Sequence, residues 1–108
     1  MRLAAKTDAN HTAVVQTLRS EGCTVVSTAA MAKGFPDLVV GIAGQTHLIE
    51  IKDGSKVPSA QSLTPDQRIF IKRWKGSPVV IIRDCEIART WAQRIRETYE
   101  RDSTGAKD

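Results

Sequence analysis

Two carboxylates and a lysine interrupt an otherwise apolar stretch of this chain. Between Gly34 and Gly54 it reads GFPDLVVGIAGQTHLIEIKDG, a β-hairpin pattern carrying Asp37 near one end and Glu50 and Lys52 near the other. Side chains alternate along a strand, so Glu50 and Lys52 share a face with Leu48, while Ile49 and Ile51 point to the opposite face. Asp37 shares its face with Val39. A hairpin loop with an even number of residues, centred on Ala43 and Gly44, sets Asp37 directly opposite Glu50. Two like charges so placed, with Cβ atoms about 4.5–5.5 Å apart, destabilise a sheet unless something positive lies between them. A hard divalent cation such as Mg2+ or Mn2+ meets that requirement. It takes one or two carboxylates, keeps several waters and completes its shell with phosphate oxygens. The substrate then carries phosphate, and Lys52 is placed to reach the attacking water or the scissile phosphate and stabilise charge developing in the transition state.

The same residues admit a purely structural reading. E-x-K and P-D arise often by chance in a chain with 26% charged residues, and Glu50 and Lys52 could decorate a solvated sheet face. That reading expects them to pair with each other and to bind no divalent ion. Asp37 fits it less well, because it comes into register with Glu50 on a strand otherwise made of Leu38, Val39 and Val40.

The elements that must hold these residues follow from periodicity. Asn10 to Glu21 places Val14, Val15 and Leu18 on one helical stripe and ends at Gly22, a glycine stop. Three strands follow, CTVVST, PDLVVGI and THLIEIK, and then a Gly/Ser/Pro-rich loop, DGSKVPSAQS. LTPDQRIFIKRWKG opens a second helix with Thr64 as N-cap, Pro65 in the first turn and Gln67 three residues after the cap, and should end near Gly76. Phe70 and Trp74 on this helix are expected in the core, since stacking on nucleic-acid bases would require them to be exposed. SPVVIIR is a buried-strand run, and DCEIARTWAQRIRETYE puts Ile87, Trp91 and Ile95 on one face of a third helix. The predicted order is α-β-β-β-α-β-α, an α/β fold whose fourth strand arrives through a helical crossover and joins a mixed four-stranded sheet in parallel. Residues 1–100 form one domain, and 101–108 read as an unstructured polar tail.

Composition narrows the class. With 108 residues and 41% hydrophobic residues, the chain supports a single small core. A formal charge of +4 and a pI near 9.4 lean toward a polyanionic partner. Cys23 and Cys85 show neither metal-site nor disulfide-framework spacing and read as reduced thiols of a cytoplasmic protein. The opening MRLAAKTDANHT lacks an apolar signal region, and no stretch has membrane-spanning length.

FPDLVV, then LIEIK, then a loop and a helix bearing Gln67 resembles the PD-(D/E)XK nuclease superfamily. The similarity is greatest to its small standalone members, the VRR-NUC type nucleases and the phage or archaeal Holliday junction resolvases. It covers residues 10 to 83 or so and rests on order and spacing rather than on any single motif. The resemblance implies a restriction-endonuclease-like core and a magnesium-dependent endonuclease of DNA recombination or repair, acting on branched DNA such as a four-way junction. A less selective nickase or repair nuclease, or a DNA-binding module that has lost the chemistry, would share the fold. By resemblance Asp37 and Glu50 bind the metal together with the backbone carbonyl of Ile51, and Lys52 assists the water. Gln67 matches a glutamine that faces the site in many relatives, although T-P-D-Q is equally a capping box with Thr64. Many relatives also carry a glutamate on the first helix. Here the nearest positions hold Asn10 and His11, which could serve as accessory groups, Asn10 positioning a metal-bound water and His11 binding phosphate or metal. Lys33 and Lys56 flank the motif, and Arg68, Lys72, Arg73 and Lys75 on the second helix could follow a phosphate backbone, although a basic solvated face explains them too. Symmetric cutting of a junction implies a homodimer, with hydrophobic surface of the fourth strand or third helix as the expected contact.

Overall fold

In the computed structural model, which describes residues 7–106, the chain runs α1 (His11–Ser20), β1 (Thr24–Ser27), β2 (Leu38–Ile42), β3 (Gln45–Ile51), α2 (Pro65–Arg73), β4 (Val80–Ile82) and α3 (Cys85–Ala106). A 3-10 turn over Pro58–Gln61 lies within the loop after β3. The protein is α/β, with a four-stranded mixed sheet in the order β1-β2-β3-β4 flanked by helices. The first three strands form an antiparallel meander, and β4 joins β3 in parallel. A parallel neighbour cannot be reached by a tight turn, and the segment containing α2 makes the crossover.

Hairpin register follows from its turn. Ala43 (φ 51°) and Gly44 (φ 74°) both have positive φ, as a two-residue turn matched to strand twist requires. Leu38 therefore pairs with Ile49 and Val39 with Leu48. Asp37 stands immediately before this pairing and Glu50 immediately after it, which brings the two carboxyls next to each other.

Helices α1 and α3 pack on each other and cover one face of the sheet. Val14 and Leu18 meet Leu38, Val40, Ile49, Ile51 and Ile82 there. Helix α1 is stopped by Gly22 at φ 91°, and its last turn is tied to α3 by ion pairs of Glu21 with Arg89 and Arg96, each 3.3 Å. On α3 the buried stripe differs from the expected one. Ile87 is exposed, and Ala88 and Ala92 are completely buried, with Trp91 and Ile95 alongside. Small side chains let the helix approach the sheet closely, so the larger residues end up at the margin of the contact.

Helix α2 departs further from expectation. None of its residues is buried, and Phe70 and Trp74 lie outside the core. The sheet face it approaches carries Glu50 and Lys52 at the end of β3, and the half-buried Phe70 packs against Phe35 rather than into the core. It ends at Arg73, before Gly76. Strand β4 is shorter than the apolar run that contains it, because β3 offers partners only over Ile49–Ile51. Helix α3 continues to Ala106, so residues 101–106 of the expected tail are helical, and 107–108 lie outside the described residues. Cys23 and Cys85 are free thiols packed at the core, and burial pushes the Cys23 thiol up. Among the described residues no helix is long and apolar enough to cross a membrane.

Candidate active site

Asp37 stands immediately before β2, and its backbone is clamped by one residue. Thr28 donates its N–H to the Asp37 carbonyl and its hydroxyl to the Pro36 carbonyl, each at 2.7 Å. The carboxylate is fixed from the other side, where Oδ2 accepts the Ile51 N–H at 2.8 Å. Adjacent to it on β3, Glu50 is 3% exposed and Lys52 7%. A solvated sheet face is therefore not what these residues form.

Gln67 closes the arrangement. Its Nε2 donates to Glu50 Oε2 at 2.7 Å, its Oε1 accepts from Lys52 Nζ at 2.8 Å, and Lys52 Nζ lies 3.6 Å from Glu50 Oε2. The same side chain completes the capping box of α2, with Oε1 accepting the Thr64 N–H at 2.9 Å and its own N–H donating to Thr64 Oγ1 at 3.2 Å. The two readings of Gln67 are both realised: starting the helix aims its side chain at the site. Gly34 sets where that helix begins. It has φ 80°, and a Cβ there would stand 2.5 Å from the Asp66 carbonyl oxygen, so the segment leading into Pro36-Asp37 and the first turn of α2 touch where only glycine fits.

These groups open into a cleft of about 320 Å³ lined by Asp37, Glu50, Lys52, Lys56, Gln67 and Asp8, among others. Asp8 is the residue that sequence reasoning missed. It precedes the N-cap of α1, and its carbonyl accepts the His11 N–H, in a turn that borders the cleft. A search confined to the helix itself overlooks it. Ile51 meets the site through its N–H and does not line the cleft. The Asn10 amide donates to the carbonyls of Lys52 and Arg83 at 3.3 and 3.1 Å, stapling α1 to the ends of β3 and β4. Its Oδ1 and the His11 Nδ1 are buried without a hydrogen-bond partner, and His11 is near enough to Asp37 to favour the carboxylate form. Lys33, Arg68, Lys72, Arg73 and Lys75 are exposed and stand outside the cleft.

Burial, and then the neighbouring Asp37, push Glu50 up to about 8, against the opposing pull of Lys52. Asp37 is raised as well, by burial, with the Ile51 N–H and His11 acting in the other direction. At neutral pH the pair holds a proton that a cation would displace. Among the described residues no three His, Cys, Asp or Glu side chains stand close enough together to hold a metal ion by themselves. The donor set is two hard carboxylates in an open polar cleft, which suits a Mg2+-like ion that retains waters and takes phosphate oxygens.

A stability prediction follows from Glu50. Its folded pKa lies above the ordinary 4.5, so its contribution is fully present below pH 4.5 or so, where both states are protonated. It is lost as pH rises toward 8, because the unfolded chain ionises first. Melts in chelator are expected to show a midpoint falling from pH 5 to 9, with the fall markedly reduced in Glu50→Gln; an unchanged slope in that variant would place the titration elsewhere.

No family model, curated protein or solved structure matches this chain.

Proposed function

We propose that the protein is a Mg2+- or Mn2+-dependent DNA endonuclease with a restriction-endonuclease-like core, acting in the cytoplasm on branched DNA in the manner of a small Holliday junction resolvase. The observation that supports this best is the adjacency of Asp37 and Glu50 in an open cleft beside a lysine whose Nζ is held by Gln67. A hard divalent cation bound between the carboxylates would supply Lewis-acid polarisation of the phosphodiester and a water of lowered pKa. Asp37 and Glu50 hold that charge, Lys52 presents a fixed positive group to the reacting phosphate, and Lys56, which also lines the cleft, contacts a flanking phosphate. Asp8 adds negative charge to the same cleft and helps retain the cation.

Cleavage is expected to require Mg2+ or Mn2+, with Ca2+ supporting binding but little turnover, because catalysis is sensitive to coordination geometry. The decisive assay compares labelled four-way junction, flap, duplex and single strand with and without Mg2+. Full activity in excess chelator would overturn the mechanism, and equal cutting of all substrates would point to a nickase or repair nuclease. Paired cuts across the junction and a dimer by light scattering are expected for the resolvase form. The 3.6 Å Lys52–Glu50 contact favours one second reading, a structural ion pair. Calorimetry separates the two, since that reading predicts no heat on adding Mg2+.

A further inference from the structure

The hydrolytic reading leaves the aromatic stripe of α2 without a role. Gln67, Phe70 and Trp74 recur at helical spacing, so they share one face. At one end Gln67 touches Glu50 and Lys52, and at the other Trp74 is 41% exposed. Phe35 meets the edge of Phe70 at 5.2 Å between centroids, and Phe70 stacks on Trp74 at 5.4 Å with 19° between their planes. The ladder thus starts beside the cleft and ends in an indole open to solvent. Gly76 holds that indole by close approach, since a Cβ there would lie 2.7 Å from Trp74 Nε1. Next to it in sequence, Lys72, Arg73 and Lys75 line a neighbouring surface hollow with Ile69, and none of the three forms an ion pair among the described residues. The only acidic residue of α2 is Asp66, in the first turn.

An exposed indole held by Phe70 and Gly76, with unpaired cations on the neighbouring surface, matches a ligand with a flat base and a phosphate chain. In a duplex each base is already stacked between its neighbours, so only an unpaired base can take the indole. We propose that Trp74 is a stacking platform for an unpaired base of the substrate strand, whose phosphates are tracked by Lys72, Arg73 and Lys75. Trp74 lies about 10 Å along the helix from Gln67 at 1.5 Å per residue, roughly three nucleotide steps of about 3.4 Å. Among branched DNAs the platform therefore favours those with an unpaired stretch two or three nucleotides from the cut. Only the position of the cut rests on the hydrolytic reading of Asp37 and Glu50.

The test uses a labelled oligothymidylate and a duplex of equal length, both in Ca2+, with affinity read by anisotropy. Trp74→Ala is expected to weaken oligothymidylate binding about tenfold and Trp74→Phe less than about threefold, with duplex affinity unchanged in both. Oligothymidylate should quench the tryptophan emission of the native protein, and Trp74→Phe, which keeps a stacking ring, should lose that quenching. Native affinity in Trp74→Ala, an equal loss on duplex and single strand, or the absence of quenching would overturn the proposal. If Trp74→Ala binds normally while Mg2+-dependent cleavage persists, the platform falls and the nuclease reading stands. If quenching and the Trp74→Ala loss occur but no DNA is cut under any condition, the platform stands and the hydrolytic reading falls.

Discussion

Glu50→Gln is expected to abolish Mg2+-dependent cleavage, a loss on the order of a thousandfold or more, while leaving the fold intact at neutral pH. The raised pKa explains why the two effects separate. With Glu50 pushed up to about 8, the metal-free protein at pH 7 carries mostly the neutral acid, for which glutamine is a close isostere. The amide oxygen can still accept from Gln67 Nε2, so α2 keeps its anchor. What disappears is the anionic ligand, and with it the tight retention of a divalent ion. Asp37→Asn should behave in the same way, because an amide oxygen can still accept the Ile51 N–H that positions Asp37. Single-turnover cleavage together with melts in chelator decides the matter. Lost activity with a midpoint equal to or above that of the native protein supports a metal site; a fall of more than about 5 °C at pH 7 would mean that the carboxylates serve the fold.

Legibility from sequence divides along one physical line. Strand register was readable because alternation and a two-residue turn are local, and Ala43-Gly44 alone determines that Asp37 comes level with Glu50. The capping box was readable for the same reason, since Thr64, Pro65 and Gln67 act within one turn. Whatever depends on which surface faces which was not. Phe70 and Trp74 carry the spacing of a core stripe, yet periodicity says only that a helix has an apolar face, not what that face meets; here Phe70 meets Phe35 and Trp74 outside the core. On α3, hydrophobicity favours Ile87 over Ala88, whereas close packing onto the sheet favours the smaller side chain. Nothing local in the sequence marks what Asn10 holds, because its amide donates to the carbonyls of Lys52 and Arg83, partners distant in sequence. Asp8 enters the cleft through a turn that no motif describes.

Lys52→Ala is expected to lower the cleavage rate by about a hundredfold, the cost of losing one preorganised donor to the transition state. Lys52 has two ways to matter, and they predict different pH behaviour. Its Nζ is held at 2.8 Å from Gln67 Oε1 and 3.6 Å from Glu50 Oε2, close enough to act on the reacting phosphate and also to favour the ionised form of Glu50. Without it the Glu50 carboxyl loses the cation that pulls its pKa down, so metal binding should need higher pH. Measuring single-turnover rates at saturating Mg2+ from pH 6 to 9.5 separates the roles. A deficit of about a hundredfold that persists at the alkaline end places Lys52 on the reacting phosphate, whereas recovery there would confine it to keeping Glu50 charged. Lys52→Arg should rescue poorly in the first case, because a planar guanidinium cannot take the position of a compact ammonium wedged between Gln67 and Glu50. A change below about threefold across the whole range would leave Lys52 as the structural half of a buried ion pair, and would move the search for the group that assists the water to Lys56, the other lysine lining the cleft.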